Sequence, residues 1–120
     1  MILGFKPQFK PKIQSGSKIH SIRIDKNNRW KPGRKIHFAT GVRTKNYECF
    51  KEDECKSIQQ VELNFWNSSP TILIEGKRIS YELCEQLAKN DGFEDLSELM
   101  RFFGIKNIKA KIIHWTDFKY

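Results

Sequence analysis

Cysteine is scarce in this sequence of 120 residues: Cys49, Cys55 and Cys84 are an odd number, with no C-x-x-C pair among them. A disulfide framework uses cysteines in pairs and a zinc ribbon uses four close ligands, so neither is indicated and no metal or other cofactor is expected. Long apolar runs are missing as well. No stretch approaches the roughly 18–20 apolar residues that cross a bilayer, and Met1–Phe5 is too short for a signal h-region before Lys6, so the expectation is a cytoplasmic protein with no membrane partner. Only 4 prolines occur, there is no repeat or low-complexity tract, and aromatics make up 12% of the chain. Disordered chains lack the aromatics that offset chain entropy, so residues 1–120 are expected to fold as a single domain.

Acid is the other shortage, and it is local. Residues 1–46 hold 12 Lys/Arg and one acid, Asp25, whereas residues 47–120 hold 10 against 13. The formal +8 is therefore +11 in the first part and −3 in the second. Such a split points to an anionic partner at the N-terminal part of the surface, and leaves the fold undecided.

Alternating β-branched and aromatic residues predict strands over Ile19–Ile24, Lys35–Thr40, Ile58–Phe65 and Lys109–Phe118, with Thr71–Glu75 as a fifth. The polar segment Asp25–Gly33 reads as a loop ending in a Lys-Pro-Gly turn. In the acidic part, Leu96, Leu99, Met100 and Phe103 share one helical face, Asp95 and Glu98 resemble a capping box, and Gly104 suits the end. Ser80 caps a second helix running to about Lys89, closed by Asn90-Asp91-Gly92, and Pro7–Ser15 forms a short helix stopped at Gly16. These elements predict an α+β fold: five to six mostly antiparallel strands in a small β-barrel, with two to three flanking helices.

The densest group of candidate functional residues is Ser15-Gly16-Ser17-Lys18-Ile19-His20-Ser21-Ile22-Arg23. On an extended strand Lys18, His20 and Ile22 face one way and Ile19, Ser21 and Arg23 the other. Lys18 and Ser21 converge only if Lys18 lies in the turn before the strand, where Gly16 frees the backbone.

The run Gly16-Ser17-Lys18-Ile19-His20-Ser21-Ile22-Arg23, with Lys31-Pro32-Gly33 before the next strand, resembles the G-x-K-x-x-[TS]-x-R motif of ASCH domains, relatives of the PUA-like barrels. Asn90-Asp91-Gly92-Phe93 ahead of Leu96–Phe103 is similar to the acidic-Gly-Phe turn that opens the last helix of that family. The resemblance implies a pseudo-barrel whose cleft binds RNA, a nucleoside or a nucleotide. A small bacterial branch of similar length includes 4-acetylcytidine amidohydrolases, in which a lysine, a hydroxyl residue and a carboxylate form a catalytic trio. Those roles fall on Lys18, Ser21 and Asp91, with Arg23 matching the motif arginine. Serine stands here for the more usual threonine, and the acid is the shorter aspartate.

Chemically, a lysine can serve as base to a serine hydroxyl once neighbouring cations and desolvation lower its pKa from about 10.4 towards 7–8. Asp91 would protonate or orient the leaving amine, and Arg23 or backbone amides would stabilise the oxyanion. Three readings stand at this stage: an RNA- or nucleotide-binding domain with Lys18 and Arg23 holding phosphate, an amidohydrolase acting on an acylated base, and a non-catalytic protein-interaction domain. A Lys18–Ser21 hydrogen bond in an open cleft, with Asp91 opposite, favours hydrolysis; a buried or separated arrangement favours binding alone. Gly16, Arg29, Lys31, Arg43 and Lys45 are candidate substrate or RNA contacts, with Tyr47 extending the same basic region. Trp30 and Trp66 are candidate base-stacking residues, Trp30 because it stands between two cations in the loop near the cleft; core packing is the expectation for Trp66 and for Trp115. His20, His37 and His114 lack metal-ligand spacing and read as ordinary histidines.

Overall fold

The computed structural model describes residues 1–66 and 69–120. Eight strands and three α-helices are found among them, in the order β1 (Ile2–Phe5), α1 (Lys10–Ser15, entered through a 3-10 turn at Pro7–Phe9), β2 (His20–Arg23), β3 (Lys35–Thr40), β4 (Glu48–Glu54), β5 (Ser57–Asn64), β6 (Thr71–Ile74), β7 (Lys77–Arg78), α2 (Tyr81–Asn90), α3 (Leu96–Phe103) and β8 (Asn107–His114). The fold is α+β, as the sequence predicts, but with eight strands rather than five or six. The strands make one sheet ordered β1-β3-β4 and another ordered β2-β8-β5-β6-β7. β1 runs parallel to β3 and every other pairing is antiparallel.

The additional strands escape the period-two test for physical reasons. β4 reads Glu-Cys-Phe-Lys-Glu-Asp-Glu, and it is an edge strand, where charge discourages pairing with another chain. β7 has only two residues, and β1, Ile2-Leu3-Gly4-Phe5, is apolar on both faces with a glycine among them, so neither shows polar–apolar alternation.

The last strand lies earlier than expected, Asn107–His114 against Lys109–Phe118, because it pairs along its whole length with β5, Asn107 opposite Asn64 and His114 opposite Ser57. Trp115 follows it into the core, and its ring meets Phe38 edge-on at 4.8 Å while Phe38 stacks on Phe5 at 5.9 Å. Side chains from both sheets therefore share one core, and the chain is compact, with a radius of gyration of 14.0 Å.

The helices start where their caps predict. Ser80 Oγ accepts the Leu83 amide at 3.2 Å, and an Asp95 carboxylate oxygen accepts that of Glu98 at 2.8 Å. α3 buries Leu96 and Leu99, and α2 buries Cys84, Leu87 and Ala88, so each presents one apolar stripe inward. No helix among the described residues is long and apolar enough to cross a membrane.

Candidate functional site

Two turns, one from the basic part of the sequence and one from the acidic part, build the site. Gly16 ends α1 in the left-handed region at φ 86°, and the amides of Ser17 and Lys18 both return to the Lys12 carbonyl. Lys18 therefore sits in the turn ahead of β2, the placement that a site shared with Ser21 requires. The second turn is Asp91-Gly92 at the end of α2. Three successive carbonyls there meet donors from the basic part: Asn90 O accepts from the Ile19 amide at 2.8 Å, Asp91 O from Lys18 Nζ at 2.5 Å and Gly92 O from Lys12 Nζ at 2.5 Å. A helix C-terminus carries partial negative charge and orphan carbonyls, so cations belong at this point.

Gly92 permits the approach. Its φ is 95°, and a Cβ on it would lie 3.0 Å from Lys18 Cδ and 3.0 Å from Phe9 Cδ1. Any larger residue there combines left-handed backbone strain with displacement of Lys18 or Phe9.

Between the turns lies a pocket of about 470 Å3. Its walls are largely Phe5, Phe9, Phe93, Phe102 and Phe103, and its polar groups include Lys18, Ser21, Arg23 and Asp91. The four residues carried by the motif thus do meet at one cavity. Lys6 lines it too, and its amine lies 5.0 Å from the centre of the exposed Phe102 ring.

Lys18 is 3% exposed, with its amine 3.4 Å from Asp91 Oδ1 and 5.0 Å from the centre of the Phe9 ring. Burial, helped by Arg23 and Lys12, pulls it down from 10.5 to about 8, against the opposing pull of the Asp91 carboxylate. Ser21 has a different partner. Its Oγ accepts from Arg23 Nε at 2.9 Å, while Arg23 Nη2 donates to the Gly4 carbonyl at 2.6 Å. Lys18 is held by Asp91 and Ser21 by Arg23, and the two side chains are not hydrogen-bonded to one another.

Behind Asp91 is a residue that the sequence reading left as an ordinary histidine. His20 is fully buried, its Nδ1 lies 2.9 Å from Asp91 Oδ1, and its Nε2 lies 2.8 Å from the Tyr120 hydroxyl. Alternation along β2 puts His20 on the side of Lys18, and that was the available signal; the partner carboxylate is 71 residues away and leaves no spacing to read.

The remaining candidates lie elsewhere. Gly16 is exposed and shapes the turn without lining the cavity, and Arg29, Lys31, Arg43 and Lys45 are exposed side chains outside its wall. Trp30 does not offer a stacking face: it is 7% exposed and belongs to the core. The cause is Asp25, whose carboxylate accepts the amides of Arg29 at 2.9 Å and Trp30 at 2.8 Å and folds the loop back onto the sheet. Trp66 is the converse case, 61% exposed instead of core, because Phe65 beside it takes the inward position at the end of β5. His37 lies at the surface beside Glu52, and His114 is buried with Nε2 2.9 Å from Gln59 Oε1. Among the described residues, no three His, Cys, Asp or Glu side chains are grouped to hold a metal ion.

Comparison of the chain with protein-family models, with curated proteins and with solved structures returns no match.

Proposed function

We propose that this chain is an ASCH-type, PUA-like domain whose pocket binds a single nucleobase, carried by a nucleoside, a nucleotide or an RNA strand with one base splayed out. The observation that carries this reading is the composition of the cavity: phenylalanine faces surrounding Lys18, Arg23, Ser21 and Asp91 in about 470 Å3. That volume lies within the range of small-ligand sites, and aromatic faces with a few convergent polar groups are how an unstacked base is gripped. The exposed Arg29, Lys31, Arg43 and Lys45 would then meet phosphates outside the pocket, if the base arrives on a strand.

Calorimetric titration with cytidine, 4-acetylcytidine, the corresponding monophosphates and a short single-stranded RNA tests the proposal. Binding of the nucleosides is expected to be nearly indifferent to salt, whereas RNA binding falls along a log–log line with a slope set by the phosphates contacted. Absence of binding by every one of these ligands at low salt overturns it.

A second reading, hydrolysis of an acylated exocyclic amine, is favoured by one observation: an amine at about 8 is deprotonated in roughly a tenth of molecules at pH 7. In this reading the Ser21 hydroxyl would be the nucleophile, the Arg23 guanidinium supporting its alkoxide, and its proton would have to reach the neutral Lys18 amine, to which it is not hydrogen-bonded in the free pocket. Asp91 holds Lys18 and His20 rather than facing a leaving amine, so its part would be to orient the base. Release of cytidine from 4-acetylcytidine, followed by chromatography, decides between binding and turnover. Turnover that survives both Lys18→Ala and Ser21→Ala removes these residues from the chemistry.

A further inference from the structure

The four-residue motif leaves His20, Tyr120, Asn90 and Gln59 without a role, yet they form a continuous, partly buried chain of hydrogen bonds that reaches the pocket lysine through Asp91. Gln59, buried on β5, fastens Tyr120 by both of its amide atoms: Nε2 donates to the Tyr120 carbonyl at 2.7 Å and Oε1 accepts the Tyr120 amide at 2.9 Å. The same Oε1 accepts from His114 Nε2 at 2.9 Å. So fixed, the Tyr120 hydroxyl stands 2.8 Å from His20 Nε2 and accepts from Asn90 Nδ2 at 3.0 Å.

The direction of each bond follows from the groups at the two ends. The Asp91 carboxylate accepts only, so His20 presents it an N–H from Nδ1; Asn90 Nδ2 donates only, so the Tyr120 oxygen accepts from it and keeps its own proton for His20 Nε2. His20 Nε2 is then the acceptor nitrogen, its Nδ1 carries the proton, and that proton points at Asp91 Oδ1, 2.9 Å away. Burial holds the Tyr120 phenol above its ordinary value, so it keeps the proton it donates. Asp91 Oδ1 thereby meets both the His20 N–H, at 2.9 Å, and the Lys18 amine, at 3.4 Å.

We propose that His20 and Tyr120 are positioning residues of the pocket: the Asp91 carboxylate draws the His20 proton to Nδ1, Tyr120 satisfies Nε2 and holds the ring in place, and the carboxylate so clamped fixes the Lys18 amine at the ligand. This deepens the nucleobase-pocket reading and rests on it for its functional consequence, though not for its structural one. The groups that face Lys18 are Asp91 from the end of α2, Arg23 from β2 and Lys12 from α1; those that face His20 are Asp91, His114 from β8 and Tyr120. Of these, His114 is the one other group that titrates near neutrality in solution, and burial beside His20 lowers it to about 4, so it stays neutral while Lys18 titrates.

Heteronuclear NMR of the free full chain tests the proposal. In the wild type the His20 ring nitrogens are expected to report a single neutral tautomer with the proton on Nδ1. Tyr120→Phe removes one oxygen and leaves the ring; the Asp91 carboxylate still requires the proton on Nδ1, so the tautomer is expected to persist while the Nε2 resonance shifts with the loss of its hydroxyl donor. His20→Leu deletes the donor to Asp91, leaves the carboxylate to Lys18 alone, and raises the pH midpoint of the Lys18 side-chain signal by about half a pH unit to one. His20→Asn, which returns an N–H donor near the Nδ1 position, is expected to restore the midpoint to within a few tenths. A role in packing alone would lower stability in both His20 variants without this difference between them.

The proposal is overturned if His20 carries its proton on Nε2, or is an imidazolium, at pH 7, or if folded Tyr120→Phe leaves the His20 signals unchanged. Equal Lys18 midpoints in folded His20→Leu and His20→Asn overturn it too. Should His20→Leu not fold, the wild-type tautomer and Tyr120→Phe decide. Failure of all ligands to bind, with the tautomer and midpoint shifts observed, overturns the nucleobase reading and leaves the clamp; ligand binding without them does the reverse.

Discussion

Lys111 and Asp25 lie 3.1 Å apart beneath the loop that follows β2, and Lys18 and Asp91 lie 3.4 Å apart beneath the pocket. All four side chains are at least nine-tenths buried. What differs is how the rest of each carboxylate and amine is satisfied. Asp25 also takes two backbone amides, from Arg29 and Trp30, and Lys111 Nζ donates to Asn28 Oδ1 at 2.6 Å; neither residue reaches the cavity. Burial alone would raise the Asp25 carboxyl, but those amides and Lys111 outweigh it and hold the group below its ordinary value. Around Lys18 the balance goes the other way: aromatic burial and the cations Arg23 and Lys12 outweigh Asp91, and the amine comes down to about 8. A buried Lys–Asp pair is therefore no sign of function by itself. It becomes one where the lysine is under-compensated and faces a cavity.

Removing the acid from each pair separates the two most sharply. Asp25→Ala strands Lys111 and two loop amides, and is expected to cost about 3–5 kcal/mol in urea unfolding, with the Trp30 loop released. Asp91→Ala is expected to cost less, about 1–3 kcal/mol, because Lys18 escapes the penalty by losing its proton. Equal losses would mean that the two pairs are energetically alike.

The pH dependence of stability has opposite signs at the two pairs. Asp25, depressed in the fold, contributes stability that is present above about pH 3.8 and is lost as pH falls through its folded value. Lys18 titrates at about 8 folded and 10.5 unfolded, so the unfolded chain binds more protons between those values and stability rises with pH across that window. The full rise is about 3 kcal/mol. The Cys55 and Cys84 thiols, raised by burial, oppose it above their ordinary value of 9.0. The difference between the wild-type and Lys18→Met stability profiles isolates the lysine, and a flat difference from pH 8 to 10.5 would contradict the assignment.

Ligand binding supplies a third contrast. Lys18→Met is expected to weaken nucleobase binding about 10- to 100-fold, the worth of one charge-assisted hydrogen bond, whereas Lys111→Met leaves the affinity of the folded protein unchanged. Calorimetry on the two variants reads both numbers.

Sequence patterns were informative about this contrast to different depths. The strands β2, β3, β5 and β6 and both long helices follow from alternation, apolar stripes and caps, because each is a local property of consecutive residues. Lys18, Ser21 and Arg23 were legible together because they lie within six residues, whereas Asp91 joined them only through the resemblance to the ASCH motifs, its place before Gly92 reading by itself as a turn. Their bonding was not. Whether Lys18 meets Ser21 or Asp91 depends on where the end of α2 is packed, and the link from Asp91 to His20 and Tyr120 joins three distant parts of the chain. The two misplaced tryptophans have the same origin. Polar neighbours around Trp30 suggested exposure, yet a side chain five residues back pulls it inward, and Trp66 is displaced by the inward turn of Phe65.

Two glycines give the smallest and cleanest contrast. Gly33, in the loop stabilised by Asp25, has φ 91°, and Gly92, at the pocket, has φ 95°, so an alanine in either suffers nearly the same backbone strain. Their surroundings differ: nothing lies within 4 Å of a Cβ on Gly33, whereas one on Gly92 meets Lys18 Cδ and Phe9 Cδ1, each at 3.0 Å. Gly33→Ala is expected to cost about 1 kcal/mol, the left-handed backbone penalty alone, and to leave ligand affinity untouched. Gly92→Ala adds the displacement of Lys18 to the same penalty, about 2 kcal/mol together, and moves the amine away from the Asp91 carbonyl that holds it. The Lys18 titration midpoint then shifts in Gly92→Ala and stays in place in Gly33→Ala. If both variants lose the same stability and neither moves the midpoint, the close approach at Gly92 is not what holds the lysine, and Asp91 must position it unaided.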